Sequence, residues 1–290
     1  IMSDPDTSHI RKALETCDLV ILQEIFPSET APYADILLPG ASFAEKDGTF
    51  TNTERRIQMV HKAVESPGLA RSDWWIIAEL AKKILANGKR SVKESEFSSW
   101  EYQDANQIME EIASLTPIYA GVSHQRLLAG ESLQWPVKDK EHPGTPILHV
   151  GQFSRGKGQF IPVEHVPPAE LPDKEYPMIL STGRVLFHWH GGQMTRRSKG
   201  LLEIYPEALI EVNDLDAEKL GLNGDKRVRV TSRRGSIEAK ALVTDRVPPG
   251  MVYANFHFPE ASANELTIAA LDPVAKIPEY KVCAVKVEAA

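Results

Sequence analysis

Apolar positions follow two different rhythms along this chain. In the first half Leu19-Val20-Ile21-Leu22 form a continuous apolar run, preceded by a stretch that Asp6 or Thr7 can cap as a helix reaching residues 13–16. A run apolar on both faces predicts a strand inside a parallel sheet. It ends at Gln23-Glu24 and continues into Ile25-Phe26-Pro27-Ser28-Glu29-Thr30, where a chain leaving a strand's carboxyl edge presents polar groups to a ligand. A second short buried strand is predicted over 34–38, stopping at Pro39-Gly40. Helix, strand, loop, strand is an α/β pattern. Apolar residues then recur at helical spacing over 74–85, introduced by Ser72 and Asp73 and closed at Asn87-Gly88 with cations in the last turns, which predicts a structural helix. Another helix is predicted over 104–115, with irregular or short extended pieces at Gln134-Trp135-Pro136 and Gly151-Gln152-Phe153.

The second rhythm has a period of two. Prolines at 162, 167, 168, 172 and 177, interleaved with Glu and Asp, predict an extended spacer that holds the domain boundary. Beyond it, strands are predicted over 178–181, 208–212, 227–231, 237–243, 251–254 and 281–287, with a hairpin at Arg234-Gly235 and one short helix capped by Asp214 and closed at Gly221. A compact β-barrel accommodates them.

Composition narrows the function classes. With 290 residues there is room for about two domains. The balance of 33 Lys+Arg against 40 Asp+Glu, net −7 and spread along the chain, argues against a nucleic-acid footprint or a polybasic membrane patch. The longest apolar runs, such as 74–78, fall far short of a membrane span, so a soluble protein is expected. Cys17 and Cys283 alone cannot build a disulfide framework, a paired-cysteine zinc site or a four-cysteine iron–sulfur motif, and both are expected to be buried thiols in a reducing compartment. The opening Ile1-Met2-Ser3-Asp4-Pro5-Asp6 matches no targeting signal and reads as a cut rather than a start.

The densest chemistry lies in 181–198, where Ser, Thr, Gly and Arg precede a His-x-His step and two glycines. Exposed backbone N–H groups, hydroxyls and a guanidinium in one stretch suit phosphate and a polar heterocycle. His188 and His190, two apart on a strand, could share a face and take His257 as a third metal ligand, but Arg184, Arg196 and Arg197 would place like charge around a cation. No metal ligand is therefore expected here. Gly156-Lys157-Gly158 reads as a turn, and neither a strand-linked Gly-x-Gly-x-x-Gly nor a Gly-x-Ser-x-Gly elbow is present. The polar cluster 45–58 reads either as a charged surface hairpin turning at Asp47-Gly48 or as a ligand-facing loop.

Taken together, 23–31, 34–39, 45–58, 182–198 and the tail from Asn264 through Tyr280 to Val285 resemble the molybdenum- or tungsten-dependent oxidoreductases that carry bis-(molybdopterin guanine dinucleotide), and within them the formate dehydrogenase α subunits. The stretch 182–198 looks much like the NAD-linked or hydrogen-linked cytoplasmic enzymes. The resemblance implies that residues 1–165 are the C-terminal portion of an α/β domain with a partial Rossmann-like parallel sheet, plus linker. It implies that 166–290 are a dinucleotide-binding double-psi β-barrel, in which Gly224-Asp225 and Arg233-Arg234-Gly235 are framework.

By position, the resemblance implies cofactor contacts from Glu24 and Ser28 in the first part, and from Thr182, Arg184, His188, His190, Gly191, Thr195, Phe256, Asn264, Tyr280 and Lys281 in the second. The implied reaction is the reversible two-electron oxidation of formate to carbon dioxide. The family's metal ligand, adjacent His, formate-meeting Arg and N-terminal iron–sulfur site map to none of these residues, so no catalytic residue or metal ligand is expected in this chain. The implied partners are the N-terminal remainder of the subunit and iron–sulfur, NAD-linked or hydrogenase-type electron-transfer subunits, in the cytoplasm. A nitrate reductase, the large iron–sulfur subunit of a respiratory complex, or a non-catalytic nucleotide-binding scaffold are the alternatives.

Overall fold

A computed structural model describes residues 1–87, 100–222 and 226–290. Gly88, Gly224 and Asp225 lie outside the described residues. Helix α1 (Thr7–Glu15) starts where expected, with the Asp6 carboxylate accepting the His9 N–H. Strands β1 (Ile21–Glu24) and β2 (Ile36–Pro39) form a two-stranded sheet. Its direction follows from two bonds: Ile36 N–H donates to the Val20 carbonyl and Gly40 N–H to that of Glu24, an equal advance on both strands, which makes the pair parallel. The expected burial is not met. Leu19, Ile21, Ile36 and Leu37 are all exposed, Leu37 at 53%. A parallel sheet buries both faces only when further strands and helices cover it, and this sheet ends at two strands.

Strands β3 (Gly48–Thr51), β4 (Arg56–Val60) and β5 (Leu133–Gln134) make a second, antiparallel sheet. The β3–β4 hairpin turns at residues 52–55, not at Asp47-Gly48. The Asn52 carboxamide accepts the Glu54 and Arg56 N–H groups, and Arg55 adopts the left-handed conformation with φ 69°. Asp47 instead precedes β3 and accepts the Lys62 N–H. Helices α2 (Asp73–Ala86), α3 (Ala105–Leu115, capped by Asp104) and α4 (His124–Leu128) follow. Here Ile57, Met109, Val122, Leu127, Leu133 and Val137 form a small core.

The remaining elements are β6 (Met178–Gly183), α5 (Lys199–Ile204), β7 (Leu209–Val212), α6 (Asp214–Lys219), β8 (Arg227–Thr231), β9 (Ser236–Val243), β10 (Met251–Asn255) and β11 (Cys283–Ala289). The six strands close into a barrel in the order β10-β6-β11-β8-β9-β7, with β10–β6 and β7–β9 parallel and the other pairs antiparallel. This is the mixed α/β architecture with a closed barrel that the sequence predicts. Inward positions alternate along each strand, so Leu180, Ile210, Val212, Val228, Val230 and Val252 fill the interior. The cap of α6 is Asn213, whose side chain accepts the Leu215 N–H, one residue before the expected Asp214. Ahead of the barrel, Glu170 is held between Arg234 at 2.6 Å, Arg233 at 2.6 Å and the Ala284 N–H. Burial alone would raise the Glu170 carboxyl, but these donors outweigh it and hold it below the ordinary carboxylate range. Cys283 is buried as expected, its thiol pushed up to about 11 by burial, whereas Cys17 is exposed because it follows the end of α1 on the surface.

The chain divides into two compact units, one of Ile1–Leu22, Phe26–Ile36 and Glu164–Ala290, the other of Gln23–Ile25 and Leu37–Val163. The N-terminal segment joins the barrel through specific bonds: Asp6 N–H donates to the Thr267 carbonyl, the Asn264 amide to the Met2 carbonyl, and Arg11 pairs with Glu265.

Candidate functional site

The barrel's pairing brings three chain segments to one end. Because β10 runs parallel to β6, with Asn255 beside Gly183, both strands finish at the same end; β11 is antiparallel to β6, with Cys283 beside Leu180, and so begins there. The segments after β6, after β10 and before β11 surround a cavity of about 550 Å³ lined by Ser3, Arg184, His190, Phe256, Asn264, Tyr280 and Lys281. Six of the residues expected from the sequence therefore meet in one place, four of them more than 70 positions from Arg184 in the chain.

The lining is fixed from beneath. Thr182 is buried; its hydroxyl donates to the Tyr280 carbonyl at 2.6 Å and its own carbonyl accepts the Lys281 ammonium at 2.6 Å. One of the three Lys281 donors is thus committed and two are left for a ligand. The Tyr280 hydroxyl donates to the Ser3 carbonyl at 2.6 Å, and burial together with the Asp4 charge raises its pKa, which keeps it a neutral phenol. Asn264, 2% exposed, donates to the Met2 carbonyl and accepts from the Thr267 hydroxyl. Arg184 is exposed, its guanidinium 5.1 Å from the centre of the Trp189 ring and its carbonyl accepting the Tyr253 hydroxyl. His190 stands with φ 44° and its ring 4.6 Å from that of Trp189.

The two histidines of the His-x-His step do not share a face, because the step lies in a turn after β6 rather than on a strand. His188 points into the interior, 3% exposed: Nε2–H donates to the Tyr205 carbonyl at 2.7 Å, and Nδ1 accepts the Thr195 hydroxyl at 3.2 Å. Thr195 in turn accepts the Trp189 N–H. Both His188 nitrogens and the Thr195 oxygen are therefore committed inside the loop. At Gly191, also buried, a Cβ would strike the Gln193 carboxamide, which is bonded to Glu29. Ser28 is half-buried, its carbonyl accepting the Ala31 N–H. Glu24 belongs to the other unit, where its carboxylate accepts the neighbouring Ile25 N–H.

Sequence reasoning missed Ser3 and the roles of Trp189 and His257. Ser3 carries no motif, and the only signal nearby is the apolar pair Ile1-Met2 ahead of it, of which Met2 proves buried. His257 is fully buried and spends both nitrogens on the loop after β6, with Nδ1–H on the His190 carbonyl and Nε2 accepting the Val185 N–H. Among the cavity-lining residues there are two fixed cations and no carboxylate, together with an amide, an imidazole, a phenol and a phenyl ring. That set complements an anionic group joined to a flat, polar heterocycle.

Both parts of the chain resemble known proteins. Residues 178–284 match the Molydopterin dinucleotide binding domain, and residues 1–83 match the family described as Molybdopterin oxidoreductase. The F420-dependent formate dehydrogenase subunit alpha of Methanocaldococcus jannaschii is 48% identical over 290 residues, covering 99% of this chain and 42% of that protein. The F420-dependent formate dehydrogenase 2 subunit alpha of Methanococcus maripaludis is likewise 48% identical, over 99% of this chain and 41% of its own length. The chain thus spans about two fifths of these relatives. Among solved structures, acetylene hydratase from Pelobacter acetylenicus superposes with a TM-score of 0.71 at 16% identity, over 98% of this chain and 42% of that one, a likeness of fold alone.

Proposed function

This chain belongs to the molybdopterin oxidoreductase family, and on that premise we propose that the barrel end holds one guanine dinucleotide form of the pterin cofactor within a formate dehydrogenase catalytic subunit. The observation that carries the reading is the convergence of Arg184, His190, Phe256, Asn264, Tyr280 and Lys281 on a single cavity. Its volume falls within the roughly 300–1,000 Å³ of small-molecule sites. Arg184 and the free donors of Lys281 neutralise diphosphate or polar pterin edges, and Asn264 and Tyr280 orient the heterocycle. Thr182, His188, Gly191 and Thr195 serve as positioning residues behind this wall. Glu24 and Ser28 are assigned to the nucleotide end of a cofactor, on the resemblance alone.

When bound, the metal and pterin supply two-electron redox chemistry, with molybdenum or tungsten as the metal. The chain's own residues bind, orient and exclude water; none is assigned a catalytic role. The substrate we assign is formate, oxidised reversibly to carbon dioxide. The names of the two relatives support F420 as the eventual electron acceptor in place of the NAD- or hydrogen-linked acceptors expected from the sequence. The remainder of the subunit, with its iron–sulfur site, and an electron-transfer subunit complete this reading, which is cytoplasmic. Among the described residues no helix is long and apolar enough to cross a membrane.

The test uses the full-length subunit. Acid-released guanine nucleotide and metal are expected in stoichiometric ratio to protein, with formate-dependent reduction of F420 in the assembled enzyme. Cofactor without formate turnover would reassign the substrate; protein that never carries guanine nucleotide would remove the cofactor reading.

A further inference from the structure

The loop that carries Arg184 and His190 is tied at both ends to one side chain. His257, two residues past the end of β10, accepts the Val185 N–H on Nε2 at 2.9 Å and donates from Nδ1 to the His190 carbonyl at 2.5 Å. We infer that His257 is a positioning residue for the cavity, a two-ended latch that sets the spacing of Arg184 and His190 by bonding the backbone beside one and at the other. The inference rests on the function proposed above only in what the loop presents; the latch is a property of this chain.

The geometry demands one protonation state. Val185 offers a donor and His190 an acceptor, so the ring must be neutral with its proton on Nδ1. A second proton would set Nε2–H against the Val185 N–H, two donors facing each other. The surroundings oppose that proton: His257 is fully buried, and burial holds its pKa down, with Arg184, His188 and His190 adding like charge against the hydrogen bond to His190 that favours it. His188 packs 5.8 Å from it, ring to ring, and Phe256 5.2 Å. The His257 carbonyl lies against Gly192, where a Cβ would also meet Arg196, itself paired with Glu260 at 2.6 Å. The folded pKa being depressed, the latch is intact above the ordinary imidazole value and is lost as pH falls through the folded one.

Two near-isosteres separate the bonds. An Asn amide reaches the Nδ1 position and a Gln oxygen the Nε2 position, so His257→Asn keeps the His190 bond and His257→Gln the Val185 bond. In the full-length protein, hydrogen exchange followed by mass spectrometry is expected to show at least tenfold faster exchange of the Val185 amide in His257→Asn, near wild-type exchange there in His257→Gln, and unchanged strands β6–β11 in both. Wild type should lose Val185 protection on acidification, beyond the intrinsic rate change, and His257→Gln should not. Guanine nucleotide released by acid is expected to fall severalfold in both variants. Equal Val185 protection in all three proteins, or faster exchange across the whole barrel, would overturn the latch. Wild-type protein with a protected Val185 but no guanine nucleotide would instead overturn the function proposed above and leave the latch standing.

Discussion

The barrel strands and the β1–β2 pair are both built from apolar stretches, yet one is dry and the other wet. Every barrel strand has two neighbours, the sheet has no edge, and Leu180, Val212, Val228, Val230 and Val252 are each 0% exposed. Strands β1 and β2 have one neighbour each, and Leu37 and Ile36 stand 53% and 43% exposed. Alternation is thus a self-sufficient code while a continuous apolar run is a conditional one: it specifies burial only if other layers arrive. In the function proposed above, the rest of the subunit supplies those layers for β1 and β2, whereas the barrel covers its own interior and takes only the N-terminal segment, through Met2 and Ser3, to complete its cavity.

The same substitution should therefore have very different costs in the two regions. Leu180→Ala opens a cavity in a close-packed interior and is expected to cost about 3–5 kcal/mol. Leu37→Ala in the 290-residue chain should cost less than about 0.5 kcal/mol, since the side chain already meets water. Urea unfolding reads both. In the full-length subunit the Leu37 change is expected to rise to about 2 kcal/mol or more as covering layers bury it; an equal, small cost in both settings would show that no layer arrives.

Next in size is the buried charge that pins residues 166–177 to the barrel. Glu170 and Arg234 are 9% and 12% exposed in their side chains, so Glu170→Gln strands a guanidinium and is expected to cost about 3 kcal/mol. The sign of its pH dependence is fixed: a carboxyl held below its ordinary range stabilises the fold at neutral pH, and that contribution disappears as pH falls through the folded value. Stability of the wild type should therefore decline below about pH 5, and Glu170→Gln should flatten part of that limb. Asp216 adds to the wild-type slope in the same direction: burial raises its carboxyl, but the Gly250 N–H and Lys219 lower it further.

At the cavity, Arg184→Ala removes an exposed guanidinium and so should leave the unfolding midpoint unchanged while lowering guanine nucleotide content roughly tenfold, the order of one charge-assisted hydrogen bond. Unchanged content would take Arg184 off the binding surface. That arginine was legible in the sequence because charge, glycine and hydroxyl groups cluster around it. The barrel was legible for a similar reason, since period-two alternation survives translation into any closed sheet. Other features were not. His188 and His190 are the same residue type two positions apart, but the step lies in a turn where His190 has φ 44°, and His188 is held inward by Tyr205 and Thr195 while His190 lines the cavity. Ser3 holds the Tyr280 hydroxyl with its backbone carbonyl, a group every residue has, so no pattern of side chains could have marked that contact. The buried reading of β1 and β2 failed because periodicity reports what a strand could bury and not what is there to cover it.

The smallest expected effect concerns the hairpin turn, where the strongest turn signal, Asp47-Gly48, lost to a weaker one. Two features hold the 52–55 turn: the Asn52 carboxamide bonded to two backbone N–H groups, and the exposed pair of Glu54 with Arg56 at 2.7 Å. Arg56 and the Asn52 amide hold the Glu54 carboxyl below its ordinary range, yet water screens the pair fully enough that Glu54→Ala should leave the urea midpoint where it is. Asn52→Ala, which hands two backbone donors back to solvent, is expected to cost about 1 kcal/mol. A larger loss from Glu54→Ala than from Asn52→Ala would mean that the surface charges, and not the side-chain mimic of a backbone turn, decide where this chain reverses.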